Sequence, residues 1–151
     1  MISIIDFEDK YAPAFKALNL VWLDKFGLTE PADLLMLNNP RHQIIDTGGY
    51  IYLAKAGAEI IGSGALIKEN ATHYELAKMV VAPAFQGQGI SKLLIEKCIS
   101  KARELAARRI FLLSNSQLTT AIALYEKYGF RHIPITNSHY ATADVMMESL
   151  L

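Results

Sequence analysis

Apolar and polar positions change their period several times along the chain, and each change marks an element. Residues 2–5 form a β-branched run that predicts a strand, with Asp6 and Asp9 after it as candidate helix caps. Tyr11, Phe15, Leu18, Trp22 and Phe26 then recur at helical spacing, as a mostly core-facing aromatic set. Gly27 ends that helix, and a second short one is expected over residues 31–37, before the breaker Asn39-Pro40. From Gly48-Gly49 the period shortens to that of strands. Residues 50–54, a turn near Gly57, residues 60–67 with Gly62 and Gly64 inside them, and residues 74–81 predict an antiparallel meander. Ile90, Leu93, Leu94, Cys98, Ala102 and Leu105 make the apolar stripe of a long amphipathic helix. Residues 110–113 read as a buried strand. Thr119 or Thr120 caps a helix through Tyr128 that Gly129 ends, and residues 130–135 and 143–147 supply two last strands.

This order is that of an α/β fold, α+β by stricter naming. It predicts a mixed, mostly antiparallel sheet of about six or seven strands flanked by about four helices. Nothing in the 151 residues reads as a linker or repeat, so residues 1–151 are expected to form one domain. A composition 52% hydrophobic and 20% charged fits a soluble globule. Fifteen basic residues balance fifteen acidic ones, which leaves no field to hold nucleic acid or an anionic membrane, and neither partner is expected. Residues 1–10 lack the layout of a secretion signal, and the lone Cys98 excludes an internal disulfide framework, so a cytoplasmic location is expected. Cys98 on the apolar stripe reads as a packed thiol. His42, His73, His132 and His139 show no ligand spacing, and no metal is expected. Arg103, Arg108 and Arg109 suit the negative end of the long helix's dipole.

The chemistry concentrates between Val80 and Leu94, where a strand, a glycine-bearing turn and a helix N-terminus follow one another. Free amides and the positive end of the helix dipole make that geometry an anion site, and Gly87 and Gly89 let the backbone come close to a diphosphate. The Gly-Lys-Ser/Thr ending of the Walker loop and the third glycine of the dinucleotide fingerprint are both absent.

The run Gln86-Gly87-Gln88-Gly89-Ile90-Ser91 resembles the Q/R-x-x-G-x-G/A signature of the GCN5-related N-acetyltransferase (GNAT) superfamily. The stretch from Glu75 to Pro83 resembles that family's fourth strand, and the stretch from Ala121 to Phe130 its second motif. The similarity covers about residues 50–135. Ser91 stands where glycine or alanine is usual, and Leu118 where many members place asparagine, with Asn115 nearby as a substitute amide. The resemblance implies acetyl-coenzyme A as acyl donor, with its pyrophosphate on Gln86, Gly87, Gln88, Gly89, Ile90 and Ser91. It also implies that the pantetheine pairs with the backbone of Met79, Val80 and Val81, and that Asn115 adds a contact. A splay between that strand and residues 110–113 would open the thiol's route to the acceptor.

The implied reaction is direct attack of a primary amine, on a small molecule or peptide, at the thioester. An amine of pKa about 10.4 must first be neutralised, at roughly 4.6 kcal/mol at pH 7. By resemblance Glu75 is the candidate general base. Strand alternation places it on one face with Ala77, Met79 and Val81, and its plainer reading is a solvated strand-end carboxylate. Tyr125 matches the tyrosine that protonates the departing thiolate, and its plainer reading is an aromatic core residue. Lys127 reads as a solvated helix lysine. The segment 38–49 is expected to form part of the acceptor wall, with Tyr140 and Asp144 facing the cleft. Relatives are often dimers, which leaves a homodimer open. A non-catalytic acyl-coenzyme A binding module is the alternative: it needs the phosphate turn but neither Glu75 nor Tyr125.

Overall fold

A computed structural model describes every residue except Asn137 and His139, so His139 of the histidine set lies outside the described residues. The strands are β1 (Ile2–Asp6), β2 (Tyr50–Ala56), β3 (Glu59–Lys68), β4 (His73–Val81), β5 (Arg109–Ser114), β6 (Arg131–Ile133) and β7 (Val145–Leu150). They form one seven-stranded sheet in the order β1-β2-β3-β4-β5-β7-β6, antiparallel except where β4 meets β5. Helices α1 (Ala12–Lys25) and α2 (Pro31–Asn38) cover one face, while α3 (Ile90–Glu104) covers the other and α4 (Thr119–Lys127) links β5 to β6. The expected α/β architecture is therefore present. No helix among the described residues is long and apolar enough to cross a membrane.

Two apolar cores follow from the two faces. Phe15, Leu37, Ile44, Leu53 and Ala65 pack beneath α1 and α2; Ile61, Leu66, Leu94, Cys98 and Met147 pack beneath α3. The stripe of α3 is displaced from the expected one: Ile95 and Ile99 are buried, whereas Leu93 is 43% exposed. Cys98 is fully buried, and burial pushes its thiol up to about 12, so it is a packed residue. Arg109 does not sit at the helix end but on β5, where it pairs with Glu148 at 2.6 Å. Neither Asp6 nor Asp9 caps α1; Asp9 instead pairs with Arg41 at 2.7 Å. The last strand runs later than expected because Ser114 to Arg109 of β5 gives it a pairing ladder from Val145 to Leu150.

One irregularity positions everything near the site. Ser63 pairs with Val80 and Ala65 with Ala77, so Lys78 and Met79 of β4 together face the single residue Gly64 of β3. This is a β-bulge, and Lys78 takes the left-handed conformation (φ 54°) that non-glycine residues rarely adopt. The bulge is held from below by buried polar groups: Asn19 of α1 donates to Ser63 Oγ at 3.1 Å, and that hydroxyl donates to the Lys78 carbonyl at 2.6 Å. Gly64 leaves room for Met79, whose sulfur would lie 2.7 Å from any Cβ placed there. The extra residue breaks strand alternation. Met79 and Val81 pack on the α3 side with Leu76, whereas Ala65, the partner of Ala77, belongs to the core beneath α1. The expected common face of Glu75, Ala77, Met79 and Val81 is thereby corrected.

Replacing Ser63 with Ala leaves the Lys78 carbonyl and one N–H of the Asn19 amide, whose other bond runs to the Phe15 carbonyl, unsatisfied in a dry site, at a cost of about 1–3 kcal/mol. A urea midpoint that falls accordingly at unchanged slope is the expected outcome; a change under about 0.5 kcal/mol would show that the bulge stands without it.

Candidate active site

Beyond Glu75↔Phe111 the strands β4 and β5 stop pairing, although both continue. The sheet therefore opens into a cleft with the backbone of Met79, Val80 and Val81 along one lip. This is the splay anticipated between these strands, and it leaves the β4 edge with unpaired main-chain groups.

A groove of about 410 Å³ runs from that lip to the N-terminus of α3. Gly87 and Gly89 line it with φ of 79° and 78°, conformations that a side chain would strain although nothing crowds them. No side chain caps α3 and no acidic residue stands in its first turn, so its opening amides are free to meet an anion. Ile90 and Ser91 also line the groove; Gln88 is exposed and outside its lining. The Gln86 side chain turns back to donate to the Val81 carbonyl at 3.1 Å, which ties the turn to the end of β4. Trp22 and Phe26, assigned above to the core, form a tilted pair 4.8 Å apart on the opposite wall. Asn115 is not in this groove. Its amide donates to the Thr142 carbonyl at 2.7 Å and its oxygen accepts from the Gln117 amide, so it cannot stand in for the asparagine absent at position 118.

On the other side of the splay lies a second cavity, of about 130 Å³. Trp22, Met79 and Tyr125 line both, so the two spaces meet at these side chains. Glu75 lines the second cavity and is 6% exposed, not solvated as its plainer reading had it. Burial pushes its carboxyl up to about 7; Lys78 opposes the shift and Glu69 adds to it. Tyr125 is 8% exposed, its ring 5.9 Å from that of Phe130. Burial raises its hydroxyl well above the ordinary phenol range, so it stays protonated at neutral pH. It is thus both a core residue of α4 and a cavity residue.

A chain of polar contacts encircles the cavity. Lys78 Nζ pairs with Asp33 Oδ1 at 2.6 Å, both side chains nearly dry, and Asp33 Oδ2 accepts from the Glu30 amide at 3.0 Å. Glu30 in turn accepts from the backbone amides of Ala141 and Thr142. Tyr140 lines the cavity with Lys78 5.4 Å from its ring centroid, and burial, then the carboxylates of Glu75, Asp33 and Glu30, holds its hydroxyl protonated. Asp144 does not face the cavity; it is exposed and accepts from Ser116. Nor does the segment 38–49 build the wall. Residues Arg41–Ile45 form a wide helical turn whose Ile44 fills the core beneath α1, and the wall comes from the α1–α2 region instead. Among the described residues no cluster of His, Cys, Asp or Glu is placed to hold a metal ion.

Residues 14–130 match the model of the acetyltransferase (GNAT) family. The uncharacterized N-acetyltransferase YjgM of Escherichia coli is 33% identical over 96 residues, 61% of this chain and 58% of that protein, so the chain spans little more than half of that curated relative. A crystal structure of a GNAT-family acetyltransferase from Staphylococcus aureus superposes with a TM-score of 0.91 at 24% identity, covering 100% of this chain and 99% of that one. A GNAT-family acetyltransferase from Elizabethkingia anophelis, crystallised with acetyl-CoA bound, superposes with a TM-score of 0.67 at 26% identity, covering 99% of this chain and 98% of that one.

A carboxylate whose pKa rises from 4.5 in the unfolded chain to about 7 in the fold penalises the folded state once it must ionise. Its contribution to stability is intact below pH 4.5 and is lost as the pH rises through about 7, by roughly 3 kcal/mol in all. Glu75→Gln is therefore expected to raise the melting temperature at pH 8 and to change it little at pH 4. Equal effects at both values would mean that Glu75 is not desolvated.

Proposed function

The chain belongs to the acetyltransferase (GNAT) family, and we propose that it transfers the acetyl group of acetyl-coenzyme A to a primary amine by direct attack, residues 1–151 acting as one catalytic domain. The observation that carries this reading is the meeting of the two cavities at Trp22, Met79 and Tyr125, with the buried carboxylate of Glu75 on the smaller side.

In this reading the larger groove takes the coenzyme. The pyrophosphate lies on the free amides around Gly87, Gly89, Ile90 and Ser91, and the pantetheine amides pair with the open edge of β4 at Met79, Val80 and Val81. The thioester then arrives at Met79 and Tyr125, and the amine enters from the side of Glu75. Glu75 accepts the ammonium proton, a role that suits a carboxyl poised near 7, since a base is most useful when its pKa lies near the working pH. Nitrogen attacks the carbonyl carbon and the carbon–sulfur bond breaks. The Tyr125 hydroxyl, kept protonated by burial, donates its proton to the departing thiolate; the attacking nitrogen sheds its second proton to solvent as the amide forms, and Tyr125 regains one from solvent. The amide and free coenzyme A leave by opposite mouths.

Free thiol released from acetyl-coenzyme A in the presence of a panel of amines tests the activity. Log kcat/KM is expected to rise with pH and level off near 7, the limb belonging to Glu75. Glu75→Gln should abolish that limb and lower kcat/KM by about 10²-fold or more, and Tyr125→Phe should lower kcat by roughly tenfold or more. Saturable acetyl-coenzyme A binding with no thiol release for any amine would instead identify a non-catalytic acyl-coenzyme A binding module.

A further inference from the structure

Resting on the acceptor assignment above, we propose that Glu30 is a specificity-determining residue: its carboxylate fixes residues 140–144 as a wall across the acceptor cavity, restricting acceptors to small, carboxylate-free primary amines and excluding polypeptide N-termini.

Glu30 lies at the start of α2, outside the lining of the cavity. Its carboxylate accepts from the Ala141 amide at 2.8 Å, the Thr142 amide at 3.1 Å and the Thr142 hydroxyl at 2.5 Å. Hydrogen bonds of this charge-assisted kind are about twice as strong as neutral ones, and these, the hydroxyl's first, hold the Glu30 carboxyl below its ordinary range. The far side of the same segment is fastened to the β5–α4 connection. Asn115 donates to the Thr142 carbonyl at 2.7 Å, Ser116 donates to Asp144 through both its amide and its hydroxyl at 2.7 Å, and the Asp144 amide donates to the Ser114 carbonyl at 3.1 Å. Between the two anchorages Tyr140, Thr142 and Ala143 line the cavity. The wall is therefore sewn to α2 on one side and to β5–α4 on the other.

Three consequences follow for the acceptor. The first is size: the space beside Glu75, about 130 Å³, is a third of the donor groove's 410 Å³, room for a small group. The second is charge. Among the described residues the one cation lining the cavity is Lys78, already paired with Asp33 at 2.6 Å, so a substrate carboxylate would find no free partner and would meet Glu75. The third concerns backbone. A peptide laid along a loop is held by main-chain hydrogen bonds, yet the Ala141 and Thr142 amides are already taken by Glu30. What remains for an acceptor to touch, apart from Glu75, is uncharged: apolar Trp22, Leu23, Leu28 and Leu118 beside the phenols of Tyr125 and Tyr140.

Trp22 is the sole tryptophan of the chain and lines the cavity, so its fluorescence reports occupancy directly. The protein saturated with coenzyme A, which cannot react, is titrated with propylamine, with β-alanine and with an alanine-initiated tetrapeptide. Propylamine is expected to bind at least about tenfold more tightly than either of the others. Glu30→Ala should tighten the tetrapeptide by about tenfold, leave propylamine within about threefold and leave the coenzyme A affinity unchanged. If Glu30→Ala loses coenzyme A binding as well, Thr142→Val, which removes one of the bonds, is read in its place, with a shift of about threefold in the same direction. Tetrapeptide or β-alanine binding as tight as propylamine in the unmodified protein, or a variant that leaves the tetrapeptide unimproved, overturns the proposal. Because no acetyl transfer is involved, a failure to find turnover would sink the enzymatic reading while these titrations still decide the wall.

Discussion

The bulge at Lys78 is the constraint from which the site follows. A regular β4 would keep strict alternation along its ladder with β3 and send Glu75, Ala77 and Met79 to one face. The extra residue sends Met79 to the α3 side and Lys78 to Asp33 on α2, where the ion pair fixes the second helix over the cavity. A left-handed lysine costs about 1–3 kcal/mol in backbone strain. The Ser63 and Asn19 bonds, together with a nearly dry ion pair at 2.6 Å, are what sustain it. Strain of this sort, held by its surroundings, is typical of places where a protein handles chemistry.

The same region carries a second burden, a carboxylate with little water around it. Glu75 lies where β4 leaves β5, so its strand position is fixed by the last backbone pairing before the splay. Lys78 stands close enough to favour its ionised form and Glu69 to disfavour it, but burial outweighs both. A well-solvated carboxylate would be a weak proton acceptor at neutral pH. Stability given up by burying Glu75 is thus the counterpart of basicity gained, a trade common where a site needs a poised acid or base.

Local features of the chain were legible from sequence because their causes are local. The Gly87 and Gly89 turn and the long helix after it depend on a few adjacent residues, and both lie where the pattern puts them, although the buried stripe of that helix is shifted to take in Ile95 and Ile99. Strand order could be read as far as the meander, since neighbours in sequence pair in space. The bulge could not, because it depends on what Gly64 and Ser63 offer across the ladder. Glu75 could not be read as buried for the same reason: its cover comes from segments distant in sequence. Trp22 and Phe26 looked like core because helical spacing does not distinguish a face against a sheet from a face against a groove. Glu30 gave no sequence signal at all, its partners lying 111 and 112 positions away. Segment 38–49 was misplaced because its apolar Ile44 was free to satisfy the core instead of the cleft.

The proposed reaction requires that donor and acceptor spaces meet at Met79 and Tyr125 with Glu75 on the acceptor side. A crystal structure of the protein with acetyl-coenzyme A bound measures it most directly. The expected result puts the pyrophosphate on the amides from Gly87 to Ser91, the pantetheine along the open edge of β4, and the acetyl carbon between Met79 and Tyr125, facing the cavity that holds Glu75. An acetyl group lying instead against α1, away from Glu75 and with no path to the smaller cavity, would contradict it.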